Sequence, residues 1–96
     1  MQVHKLIKQK HSEILAIALS YGATSVRIFG SAARGQAKPS SDLDILVSMK
    51  PGATLLDIIA IKQDLEDLLG ISVDVVTENS LSPYIRDEVL KEAVNL

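Results

Sequence analysis

The sequence contains no cysteine and no tryptophan, and its aromatic residues are one Phe and two Tyr. Without cysteine, a disulfide framework and thiolate zinc sites are excluded, and nothing points to an oxidising compartment. So few aromatics argue against a nucleic-acid platform built from stacked rings. Neither sign of charge dominates: ten Lys and Arg against twelve Asp and Glu leave a formal net charge of -2. No basic block stands out, so electrostatic capture of DNA or RNA is not indicated. Small nucleotides stay within reach, because a local pocket and metal ions can supply positive charge. Long apolar runs are missing too. The opening "MQVHKLIKQKHSEI" interrupts its apolar positions with Lys, Gln and His, lacks the core of a signal peptide, and no stretch approaches the ~20 apolar residues of a membrane span. The expectation is a soluble, cytoplasmic protein with no membrane partner.

What is present is enough for one small domain spanning 1–96, and 47% hydrophobic residues can build its core. Gln2 to Ser20 places Val3, Leu6, Ile7, Ile14, Ile17 and Tyr21 at helical spacing, with Gly22 as the stop. "TSVRIFG" reads as a strand ending at Gly30, and "LDILVSM" as a second strand closed by Pro51-Gly52. Thr54 and Asp57 form a capping-box pattern ahead of a helix whose stripe is Leu55, Ile58, Ile61, Leu65 and Leu68, ended by Gly70. "ISVDVVT" is a third strand. Ser82 and Pro83 start a last helix carrying Ile85, Val89 and Ala93 on one side. With a short helix after Gly30, the order is α-β-α-β-α-β-α. The fold class is α/β (α+β), a small mixed sheet with helices packed on it. The long helix is a crossover that makes the second and third strands parallel. The relative direction of the first two strands is left open.

Two aspartates stand where a strand should carry aliphatics. Asp42 and Asp44 are two residues apart and share a face, while Leu43, Ile45 and Val47 point to the other. Asp74 is flanked by Val73 and Val75, and a parallel neighbour would bring it alongside Asp44. Clustered carboxylates repel and lose solvation, and hard divalent cations such as Mg²⁺ relieve both costs. Two such ions can activate an attacking oxygen and stabilise a leaving one in phosphoryl or nucleotidyl transfer. A solvent-facing sheet surface accommodates the same residues, and Asp42, after Pro39-Ser40-Ser41, also fits an ordinary turn. Spacing alone leaves both readings open.

Gly30 ends a strand just before these residues. A glycine lets a phosphate approach the backbone, and amides of a following helical turn with the Ser31 hydroxyl can hold phosphate oxygens. "GSAARG" is not a Walker A loop, since it lacks the Gly-Lys-Ser/Thr ending. Arg34 can contact phosphate, pair with a carboxylate, or stay solvated. His4 and His11 have no clustered partner and read as surface residues; Tyr84 reads as partly buried or at an interface.

Taken together, "GSAARGQAKPSSDLDILV" followed by "VDVV" resembles the DNA polymerase beta-like nucleotidyltransferases. Their pattern is Gly-Ser, a spacer, Asp-x-Asp, and a third Asp on a later strand. The short chain and "SPYIRDEVLKEAV" at its end resemble in particular the minimal nucleotidyltransferase (MNT) antitoxins paired with HEPN-domain ribonuclease toxins. The resemblance implies that Gly30 and Ser31, with Arg34, bind ATP, and that Asp42 and Asp44 ligate Mg²⁺. Asp74 would complete the metal site and help activate the nucleophile. It implies transfer of AMP to a tyrosine of a HEPN partner, which silences the toxin, and hence a hetero-oligomer. The absence of a domain for a small acceptor suits a protein acceptor supplied in trans. Two alternatives accompany this expectation: an antitoxin that neutralises by binding alone, and nucleotidyl transfer to a small molecule or RNA with another subunit.

Overall fold

The computed structural model describes residues 3–35 and 42–96. Two short helices, α1 (Val3–Gln9) and α2 (His11–Ser20), precede the antiparallel strands β1 (Ala23–Phe29) and β2 (Leu43–Met49). Helix α3 (Leu55–Leu69) then crosses to β3 (Val73–Thr77). A 3₁₀ turn (Glu78–Ser80), helix α4 (Pro83–Glu92) and a two-residue strand β4 (Val94–Asn95) complete the described chain. The sheet order is β3-β2-β1-β4, with β2 and β3 parallel and β4 antiparallel to β1. The crossover expectation therefore holds.

Side-chain alternation sets the layers. Val26, Ile45, Val47 and Val73 are buried on one sheet face, in a core shared with Ile14 and Ala18 of α2 and Ile61, Leu65 and Leu69 of α3. The caps of α3 follow the sequence signals. The Asp57 carboxylate accepts from Thr54 N–H at 2.9 Å, and Gly70 terminates the helix in the left-handed region at φ 69°. Ser82 Oγ accepts from Tyr84 N–H at 3.3 Å, with Pro83 in the first turn.

Several expectations change. The first helix is broken at Lys10, because the polar run from Lys8 to Glu13 offers no apolar anchor between Ile7 and Ile14. The segment after Gly30 is a run of turns, not a short helix. Arg34 N–H bonds back to Gly30 C=O, and Gly35 N–H to Ala32 C=O. Left-handed glycines at Gly30 (φ 73°) and Gly35 (φ 70°) bracket it, too close together for a helix to propagate. Leu55 is 70% exposed, since the first turn of α3 runs clear of the sheet, so the buried stripe starts lower on the helix. On α4, Val89 is buried but Ile85 is exposed, and Tyr84 is 95% exposed within this chain rather than partly buried. His11 is exposed as expected. The side chain of His4, residue Gln2 and the Pro39-Ser40-Ser41 turn lie outside the described residues.

Candidate active site

Strand pairing brings the aspartates together. Asp44 and Asp74 are register partners on the parallel strands β2 and β3, so their side chains rise from adjacent backbones about 4.8 Å apart on one face. Asp42 lies just before β2 and is exposed; Asp44 is half-buried and Asp74 exposed. On the other side of β2, Phe29 pairs with Asp44, and Gly30 follows it. A Cβ on Gly30 would run into the Asp44 carboxylate. The residue after β1 must therefore be glycine for two reasons: its left-handed φ, and the room that Asp44 needs.

This face is not a bare wet surface. Leu46, on the same side of β2 as Asp44, is fully buried. Its register partner Arg27 forms a 2.6 Å ion pair with Glu78 of the 3₁₀ turn, and Arg86 of α4 approaches the same Glu78 at 3.8 Å. Covered ground thus begins two residues beyond Asp44. Asp44 sits at the edge of that covered ground, while Asp42 and Asp74 stay exposed.

The electrostatics show a local shortage of positive charge. The pKa of Asp44 is raised, first by burial and then by the nearby charges of Asp74 and Asp42; Arg34 opposes the shift, and Glu92 adds to it. Asp44 therefore senses both other aspartates. Among the described residues, no three His, Cys, Asp or Glu side chains converge tightly enough to form a ready-made metal cage. The donor set still fits Mg²⁺, which prefers oxygen ligands and usually binds through one or two carboxylates plus substrate phosphates.

Arg34 and Gly30 meet a residue that sequence reasoning missed. Glu92, the last residue of α4, accepts from Gly30 N–H at 2.8 Å and from Arg34 Nη1 at 3.0 and 3.2 Å. Arg34 thus pairs with a carboxylate, one of the three roles open to it. The N–H of Gly30, a residue expected to bind the nucleotide, is bonded to Glu92. A second unforeseen brace holds β3. Glu66 Oε2 accepts from Val73 N–H at 3.0 Å and from Lys62 Nζ at 3.0 Å, while Lys62 donates to Val73 C=O at 2.7 Å. These bonds hold the Glu66 pKa below the usual carboxylate range, the Val73 amide contributing most. They pin the residue directly before Asp74. In one sequence, Lys62 and Glu66 look like a solvated i,i+4 pair, and Glu92 carries no local signal at all.

A mixed sheet with paired aspartates on adjoining parallel strands, beside a left-handed Gly-Ser turn, defines a nucleotide-transferring domain of the polymerase beta type. The chain belongs to the nucleotidyltransferase domain family, whose model matches residues 8–96. It is 43% identical over 90 residues to a protein of Methanocaldococcus jannaschii provisionally assigned as a protein adenylyltransferase, covering 94% of this chain and 97% of that one. A solved structure provisionally described as a minimal nucleotidyltransferase superposes with a TM-score of 0.89 at 44% identity, covering 100% of this chain and 97% of the other. The fold also recurs, at 20% identity and a TM-score of 0.66, in a complex described as a tri-AMPylated Shewanella oneidensis HEPN toxin with an MNT antitoxin. There the match covers 97% of this chain and 71% of that one. No helix among the described residues is long and apolar enough to cross a membrane.

Proposed function

We propose that this chain, as a single domain over 1–96, transfers AMP from ATP to a tyrosine hydroxyl of a HEPN-domain ribonuclease and so neutralises it. The observation that carries the reading is the register pairing of Asp44 with Asp74, with Asp42 before them and Gly30-Ser31 alongside. The adenylyltransferase assignment of a relative at 43% identity supports the reaction class. The AMP-bearing toxin in the fold neighbour motivates the choice of acceptor.

In this reaction the tyrosine oxygen bonds to the α-phosphorus of ATP. The bond from that phosphorus to the bridging oxygen breaks, and pyrophosphate leaves. Asp42, Asp44 and Asp74 would hold Mg²⁺, which supplies charge neutralisation for the triphosphate and the developing oxyanion. Asp74, the most open of the strand carboxylates, takes the phenolic proton. Ser31 donates its hydroxyl to a phosphate oxygen. The Gly30 amide is committed to Glu92, so the role of Gly30 is to let the turn come close to Asp44.

Incubation with ATP, Mg²⁺ and a HEPN-domain ribonuclease from the same genome, followed by intact mass measurement, should show added AMP on the partner. An Asp42→Asn/Asp44→Asn variant should lose transfer and neutralisation while still folding and binding the partner. No transfer by the wild type to that partner would reject the reading. Full neutralisation by the double variant would show that binding alone suffices.

A further inference from the structure

The register between β1 and β4 has a consequence at the site. Arg27 pairs with Asn95 and Ile28 with Val94. Continuing this ladder brings Glu92 opposite Gly30. The backbone there is helical, as the end of α4, and offers no strand partner. The Glu92 carboxylate takes the vacant place, accepting from Gly30 N–H at 2.8 Å. Strand alternation explains why that amide points sideways: Val26 C=O, four residues earlier, faces the same edge and accepts from Leu96 N–H at 3.1 Å.

The same carboxylate holds Arg34, at the other end of the turn. A backbone bond from Arg34 N–H to Gly30 C=O at 3.2 Å closes the loop between them. One side chain on α4 therefore clamps both ends of the segment that carries Ser31. Glu92 thereby holds the Arg34 guanidinium beside the turn. Arg34 lies within electrostatic range of Asp44, and a cation settled on that carboxylate would compete with Mg²⁺.

We propose that Glu92 is a positioning residue for nucleotide binding: it acts through Gly30 and Arg34, setting the Gly30-Ser31 turn against Asp44 and holding Arg34 where it meets the triphosphate without occupying the metal ligands. This rests on the nucleotidyl-transfer reading above. The role is distinct from competition, in which Glu92 would simply stand in for a phosphate and be expelled by it.

The two differ in sign. ATP affinity in the presence of Mg²⁺ is measured by calorimetric titration for the wild type, Glu92→Gln and Glu92→Ala, each well below its own melting temperature. Glutamine keeps an acceptor for Gly30 N–H but loses the negative charge that pairs with Arg34; alanine loses both. The positioning role predicts a Kd raised about threefold by Glu92→Gln and about tenfold by Glu92→Ala, the scale of charge-assisted bonds lost. It also predicts that Arg34→Ala costs less affinity in the Glu92→Gln background than in the wild type, which a merely structural role for Glu92 would not produce. Unchanged or tighter binding in both variants, or an equal Arg34→Ala effect in the two backgrounds, would overturn it. If the wild type itself binds no ATP, the nucleotide reading fails and takes this one with it. Wild-type binding with unaffected variants rejects the positioning role alone.

Discussion

Burial and the neighbouring carboxylates of Asp74, Asp42 and Glu92 raise the pKa of Asp44. The folded chain therefore holds a proton on Asp44 at pH values where the unfolded chain has released it. Stability falls as pH rises from the ordinary aspartate range through the raised value, and above that the penalty is complete. Asp44→Asn should remove it, raising the thermal midpoint near neutral pH by roughly a few degrees. The gain should vanish in acid, below the ordinary aspartate pKa. Melts across a pH series check both parts; a variant no more stable than wild type at neutral pH would contradict the electrostatic account. Asp44 is thus a residue kept at some cost to the empty fold. The pairing of Asp44 with Asp74 was legible in the sequence, because each stands among aliphatics on strands that the crossover helix makes parallel. Glu92 was not, since the residues it joins, Gly30 and Arg34, are 62 and 58 positions away.

Among the elements, α3 shows how far periodicity carries. The stripe of Leu55, Ile58, Ile61, Leu65 and Leu68 has helical spacing throughout, yet burial is graded along it. Leu55 is 70% exposed, whereas Ile61 and Leu65 are fully buried. Spacing defines a face; only the sheet's extent defines how much of that face is covered. Leu65→Ala should cost about 2–5 kcal/mol, and Leu55→Ala within about 0.5 kcal/mol of nothing. Urea denaturation of the two variants measures the contrast, and equal losses would place the core at the wrong end of the helix. The short elements were illegible for related reasons. Strand β4 is two residues long and has no period to detect. The turn after Gly30 has a sequence compatible with a helix, but two left-handed glycines confine it.

At the scale of the whole molecule, β2 is the centre. It has hydrogen-bonded strands on both sides and fully buried residues on both faces, with Leu43, Ile45 and Val47 on one and Leu46 on the other. Protection from hydrogen exchange should therefore peak at the amides of β2, with α4 and β4 exchanging well before global unfolding. Helix α4 has Val89 as its buried residue and reaches the site through Glu92 and the Glu78–Arg86 contact. Native-state exchange resolved by residue tests this ordering. Comparable protection in α4 and β2 would contradict it.

The sequence by itself determined the three longer strands, the capped crossover helix and the placing of Asp44 and Asp74 on neighbouring parallel strands. Each is written in local periods, caps and breakers that act over a few residues. Only the tertiary structure decided that β1 and β2 run antiparallel, that β4 closes the edge, and that Glu92 clamps the turn. It also decided where along α3 the core begins. Those features depend on which distant segments meet, and a contact between residues far apart in the chain leaves no pattern in either of them alone.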